Sequence, residues 1–189
     1  MTPAPGHRAV LVPVKAFTRA KLRLAPALPA RERAELARRM GAGVLAAAHP
    51  LPVAVVCDDE EVATWALEHG ARVIWTPGHG LDGAVATGVT TLAAEGVERV
   101  VVAHADLPLV ETLAWLAPGD GVTIAPDRRD DGTNVIVVPA SAGFRFSYGA
   151  RSFARHVAEA RRLGLPVRVV REARLGWDVD VPADLELPR

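Results

Sequence analysis

Two aspartates, Asp178 and Asp180, flank a valine in "RLGWDVDVPADL" (174–185), near the end of the chain. The surrounding residues read as a buried strand. Residues two apart in a strand share a face, and these would stand about 7 Å apart along it. Burying an ionised carboxylate is costly unless it is paired or binds a metal. Two on one face repel unless a cation lies between or beside them. A third carboxylate appears where "VVVAHADLPLV" (100–110) runs an apolar strand into Asp106. Pro108 cannot continue a ladder, so Asp106 belongs at the strand's carboxyl end. On that stretch alone it is either a helix cap or a metal ligand. The pair at 178 and 180 tips the reading toward metal. Three carboxylates suit Mg2+, which keeps waters and takes a few carboxylates plus substrate phosphates. The competing reading of 177–181 is a solvated edge strand, but Trp177, Val179 and Val181 argue for burial.

A basic loop follows the first apolar run, in "PVKAFTRAKLRLAP". Lys15 and Lys21 are the only lysines in the chain; every other cationic residue of this kind is arginine. Lysine binds phosphate as a compact point charge, whereas arginine offers a planar fork. With Arg19 and Arg23 beside them, these lysines suit a polyphosphate; the plainer reading is a solvated basic loop. The loop lacks the glycines and the GK[ST] ending of a P-loop and is not a GxGxxG turn. That argues against a Walker-type ATPase and an NAD enzyme.

Two further stretches could take a small anion. In "APDRRDDGTNVIVV" (125–138), Thr133 offers a hydroxyl and Gly132 permits close backbone approach. In "FSYGARSFARH" (146–156), Gly149 and Ser152 fall at the start of a helix, where free amides and the dipole attract anions. Ser152 reads equally as an N-cap. His104 shares the face of Asp106 and reads as a supporting or core histidine. Arg151 and Arg155 could reach an anion bound there, but a solvated helix surface is the plainer reading. No His/Cys cluster suggests zinc.

These segments must be positioned by a scaffold. Apolar, β-branched runs recur at 9–14, 53–57, 72–75, 99–103, 122–125, 134–138, 167–170 and 177–181. Stretches of helical period lie between most of them, at 30–48, 60–69, 82–95, 109–117 and 151–163. The alternation predicts an α/β domain spanning 1–189 with a mixed, mostly parallel sheet. Ligands in such sheets sit beyond the carboxyl ends of the strands.

Composition narrows the function classes. The 189 residues are half hydrophobic, and 22 basic residues balance 22 acidic ones. No basic surplus points to nucleic acid, and no apolar run is long enough for a membrane span. The N-terminus lacks the pattern of a secretory signal, and one cysteine, Cys57, excludes an internal disulfide framework. A cytoplasmic protein is expected, with Cys57 as a small buried hydrophobe.

In order along the chain, "PVKAFTRAKLRLAP", "HADLPL", "APDRRDDGTN", "YGARSFARH" and "DVDVPADL" resemble the CofC/FbiD family. Those enzymes transfer a guanylyl group to 2-phospho-L-lactate or phosphoenolpyruvate in coenzyme F-420 biosynthesis. The resemblance implies a Rossmann-like nucleotidyltransferase fold similar to glycosyltransferase-A enzymes. It implies Mg2+ held by Asp106, Asp178 and Asp180. It also implies acceptor binding by Thr133, Gly149 and Ser152, and GTP phosphates on Lys15, Lys21 and Arg23. Two positions depart from the family pattern. Leu22 stands where that loop usually carries Ser or Thr, and Asp82 where asparagine is usual, which bears on the nucleotide contact. Molybdopterin and sugar nucleotidyltransferases are rivals, but they usually open with a glycine-rich loop. A non-catalytic nucleotide-binding homologue is the rival from another class. Oligomeric state is left open by the sequence.

Overall fold

The computed structural model describes residues 7–187. Seven strands form one sheet: β1 (Arg8–Pro13), β2 (Val53–Cys57), β3 (Arg72–Trp75), β4 (Arg99–Ala103), β5 (Val122–Pro126), β6 (Thr133–Pro139) and β7 (Val167–Val169). Their order is β3-β2-β1-β4-β6-β5-β7. The first four are mutually parallel, β6 runs antiparallel to both β4 and β5, and β7 is parallel to β5. The expected mixed, mostly parallel sheet is therefore the one observed.

Helices cover both faces: α1 (Ala30–Ala47), α2 (Glu60–Glu68), α3 (Gly80–Ala94), α4 (Ser152–Arg162) and the short α5 (Ala173–Gly176). Alternate strand residues point to opposite faces, and the core divides accordingly. Val10, Val12, Val55 and Val101 pack with Val44 and Leu45 of α1 and Trp65 of α2. Leu11, Val56, Val100 and Val102 pack with Val85, Val89 and Leu92 of α3 and Ala160 of α4. Central strands buried on both faces read as continuous Val-rich runs, which is why they were legible. Cys57 is buried among them.

Two expected elements take another form. The stretch 109–117 forms only a 3-10 turn, Ala114–Leu116. The N–H of Leu113 bonds the carbonyl of Ala47 at the end of α1 (2.9 Å), not a helical partner. No helix starts at Pro108, so Asp106 has no helix to cap. Residues 177–181 are extended but join no ladder. Their backbone groups go mainly to side chains. Asp184 accepts the N–H groups of Asp180 and Val181, both at 2.8 Å. Arg128 donates to the carbonyl of Asp178 at 3.2 Å.

Strand order changes direction at β1, with β2 on one side and β4 on the other. In sheets of this kind such a point opens a crevice for ligands beyond the carboxyl ends of the strands, here those of β1 and β4. Because β6 is antiparallel, its first residues open at the same end; Ala103 of β4 pairs with Val135 of β6.

Candidate active site

β1 delivers Lys15 to the crevice and leads into a loop of two 3-10 turns, Phe17–Arg19 and Leu22–Leu24. Phe17 and Leu24 anchor the loop in the core. Arg33 of α1 donates to the carbonyl of Ala20 at 2.9 Å. Lys21 occupies the left-handed region (φ 53°), and its side chain turns inward, 11% exposed, to pair with Asp106. Leu22, at the departing position, faces solvent. Arg23 pairs with Asp180 at the surface.

β4 delivers His104 and Asp106. The N–H of His104 bonds the carbonyl of Asn134 at 3.0 Å, fastening this turn to β6. The extended segment 177–181 lies alongside, since the N–H of Val179 bonds the carbonyl of Asp106 at 3.2 Å. Val179 itself is buried with Leu24 and Met40, so the aspartates on either side face away from that cluster. Asn134 donates to the carbonyl of Leu175 (2.9 Å) and reaches the carboxylate of Asp178 at 3.5 Å. Residues 72 positions apart in sequence, Asp106 and Asp178, thus share one electrostatic environment.

Charge is finely divided there. Burial disfavours the carboxylate of Asp106, yet the Lys21 ammonium, with His104, holds it below its usual range. Burial and the neighbouring Asp106 charge push Asp178 up, against its contact from Asn134. Burial pushes His104 below its usual range, opposed by Asp106. The Oδ1 of Asp106, Nε2 of His104 and the hydroxyl of Tyr148 are buried with no partner, and the His104 and Tyr148 rings lie 5.0 Å apart. Buried polar atoms are normally satisfied, so three orphans together mark a place where a polar ligand belongs.

The three expected metal carboxylates are not equally placed. Asp106 and Asp178 act on one another, whereas Asp180 is drawn aside by Arg23. Among the described residues, no group of three acidic, His or Cys side chains stands ready to hold a metal ion. An unpartnered carboxylate oxygen beside a second, mutually repelling carboxylate nonetheless fits a hard cation.

Across the crevice, Thr133 opens β6 and is buried, with its Oγ1 3.0 Å from His156 Nδ1. Gly132 serves its own turn: its N–H bonds Asp127 at 2.9 Å, and a Cβ there would meet the same carboxylate at 2.9 Å. Gly149 has φ 94°, a conformation that favours glycine. Ser152 is the first buried residue of α4, whose cap is Arg151, so it is no N-cap. Arg155 is not free helix surface. It donates to the carbonyls of Ser147 (3.0 Å), Tyr148 (2.8 Å) and Ala150. Asp82 accepts the N–H of Tyr148 at 2.7 Å, tying α3 to this loop.

Three residues escaped the sequence reading. Asp184 is 1% exposed, pairs with Arg128 and shapes the backbone of Asp180. Its signal was an acid two residues after Pro182, at the start of a 3-10 turn. Asn134 and His156 carried no usable spacing.

The chain matches, over residues 8–187, the family described as guanylyl transferase CofC like. A phosphoenolpyruvate guanylyltransferase of Sphaerobacter thermophilus is 36% identical over 185 residues, covering 93% of this chain and 89% of the relative. A 2-phospho-L-lactate guanylyltransferase of Methanothermobacter thermautotrophicus is 35% identical, covering 93% and 81%. A solved structure from Desulfovibrio desulfuricans, assigned as a nucleotide-diphospho-sugar transferase, superposes with TM-score 0.74 at 19% identity. It covers 95% of this chain and 85% of its own, a likeness of fold alone. The alternating sheet, the crevice chemistry and the chain-wide match together place this chain in the CofC-like guanylyl transferase family.

Proposed function

We propose that the chain transfers GMP from GTP to the phosphate of phosphoenolpyruvate or 2-phospho-L-lactate, releasing pyrophosphate, in coenzyme F-420 biosynthesis. The observation that carries this reading is the convergence of Lys21 and Asp106 with Asp178 at the mouth of β1 and β4. The likeness to two guanylyltransferases of those acceptors supports it. Of the two acceptors, phosphoenolpyruvate is the first choice, because it is named for the relative at 36% identity.

The acceptor phosphate attacks the α-phosphorus of GTP in line. A phosphate monoester is already anionic near neutral pH, so no dedicated general base is needed. The chain instead supplies alignment and charge. Lys15 and Lys21 offset the negative charge gathering on the leaving pyrophosphate. Thr133, Gly149 and Ser152 hold the small acid. Asp106 and Asp178, with Asp180 once it leaves Arg23, would hold Mg2+. Such an ion neutralises phosphate oxygens and lowers the cost of bringing anions together.

The test is an acceptor panel with GTP and ATP, scored by product mass and pyrophosphate release. The expected result is GTP-dependent turnover with phosphoenolpyruvate or 2-phospho-L-lactate, abolished by a chelator and restored by Mg2+. Nucleotide binding without turnover of any acceptor would favour the non-catalytic reading. Turnover that survives the chelator would remove the metal.

A further inference from the structure

His156 is completely buried on α4, and nothing in the proposed chemistry requires a substrate to touch it. Its Nε2 accepts the N–H of Ser147 at 3.0 Å. Accepting requires a lone pair on Nε2, so the proton of the neutral ring must sit on Nδ1. Nδ1 lies 3.0 Å from Thr133 Oγ1. The imidazole therefore donates and the threonine oxygen accepts. The hydroxyl proton of Thr133 is left with no acceptor among the described residues, although Thr133 is only 3% exposed. A buried donor without an acceptor is costly, and a bound anion would satisfy it.

The neighbours enforce this arrangement. The rings of Phe144, Phe146 and Tyr148 lie 5.8, 6.3 and 5.0 Å from the imidazole. Burial, reinforced by the Arg155 charge, brings the imidazole down to about 4, so it stays neutral near pH 7. The same ring fixes the loop after Ser147. The N–H groups of Ser147, Tyr148 and Arg151 go to His156, Asp82 and Asp131. Those of Gly149 and Ala150 have no protein partner among the described residues.

We propose that His156 is a positioning residue for the acceptor anion: one imidazole aims the Thr133 hydroxyl proton outward and holds the 147–150 loop against it. This inference rests on the acceptor reading of Thr133 and Gly149 given above.

Three measurements test it. Side-chain 15N NMR of the wild-type protein reads the tautomer directly. Protonation at Nδ1 is expected, and a proton at Nε2 overturns the proposal whether or not the enzyme turns over. Steady-state kinetics with phosphoenolpyruvate then follow Thr133→Val, His156→Phe and the double variant. Each single change is expected to raise the acceptor KM about tenfold, with the GTP KM within about twofold. The double variant should be no worse than the weaker single one. Additive losses, or a GTP KM rising in parallel, overturn it. Finally, His156→Asn places an amide near Nδ1, and His156→Gln places one near Nε2. The asparagine variant should keep the acceptor KM nearer to wild type, and the reverse order overturns the proposal. A wild-type protein inactive with every acceptor would instead sink the reading under Proposed function.

Discussion

Asp106 is the residue on which the site's charge balance turns. Its carboxylate is 23% exposed, has one oxygen paired with Lys21 and the other unpartnered. Removing a transition-state charge contact of this kind costs on the order of 100-fold in turnover. Asp106→Asn and Asp178→Asn should each lower pyrophosphate release by about that factor, with far-ultraviolet circular dichroism unchanged. Near-normal turnover in either variant would remove it from the machinery. Lys21 and Asp106 were legible in the sequence, one as one of two lysines in a basic loop and the other as an acid closing an apolar strand. Asp184 and Asn134 were not. Asn134 works through Leu175 and Asp178, and Asp184 is paired with Arg128; these partners become neighbours only after the chain has closed.

Elements were legible where both faces are buried and illegible where side chains take over backbone bonds. β1, β2 and β4 fell within a residue or two of the apolar runs. The run 177–181 alternates apolar and acidic residues, yet it joins no ladder, since Asp184 takes two of its amides and Arg128 one of its carbonyls. How tightly elements approach is likewise a tertiary property. Gly88 of α3 sits where a Cβ would meet Leu11 at 2.7 Å and Val56 at 2.8 Å. Gly43 of α1 has open space instead. Gly88→Ala should destabilise the protein by about 1–3 kcal/mol through overpacking. Gly43→Ala should stabilise it by up to about 1 kcal/mol through helix propensity. Chemical denaturation of the two variants checks the pair, and equal effects would contradict the packing of α3 on β1 and β2.

For the whole molecule, His156 links stability to pH. Its folded value, about 4, lies below the ordinary 6.5 because burial, then the Arg155 and His104 charges, oppose protonation; Glu159 acts the other way. The unfolded chain therefore binds the proton first. The contribution is complete above about pH 6.5 and fades as pH falls toward 4, a loss of about 3 kcal/mol at 1.36 kcal/mol per pH unit. Denaturation midpoints across that window should fall for wild type and stay flatter for His156→Phe. Parallel slopes would show that the ring is not held neutral. From the amino-acid order alone came the class of the sheet and the candidate charged residues, because periodicity and the cost of burying charge are local properties, while the family resemblance rested on the order of five motifs. Only the tertiary structure decided that Lys21 lies on Asp106, that Arg23 draws Asp180 away and that His156 faces Thr133. Those pairings are set by strand order and by an antiparallel β6, which bring distant segments to one end of the sheet.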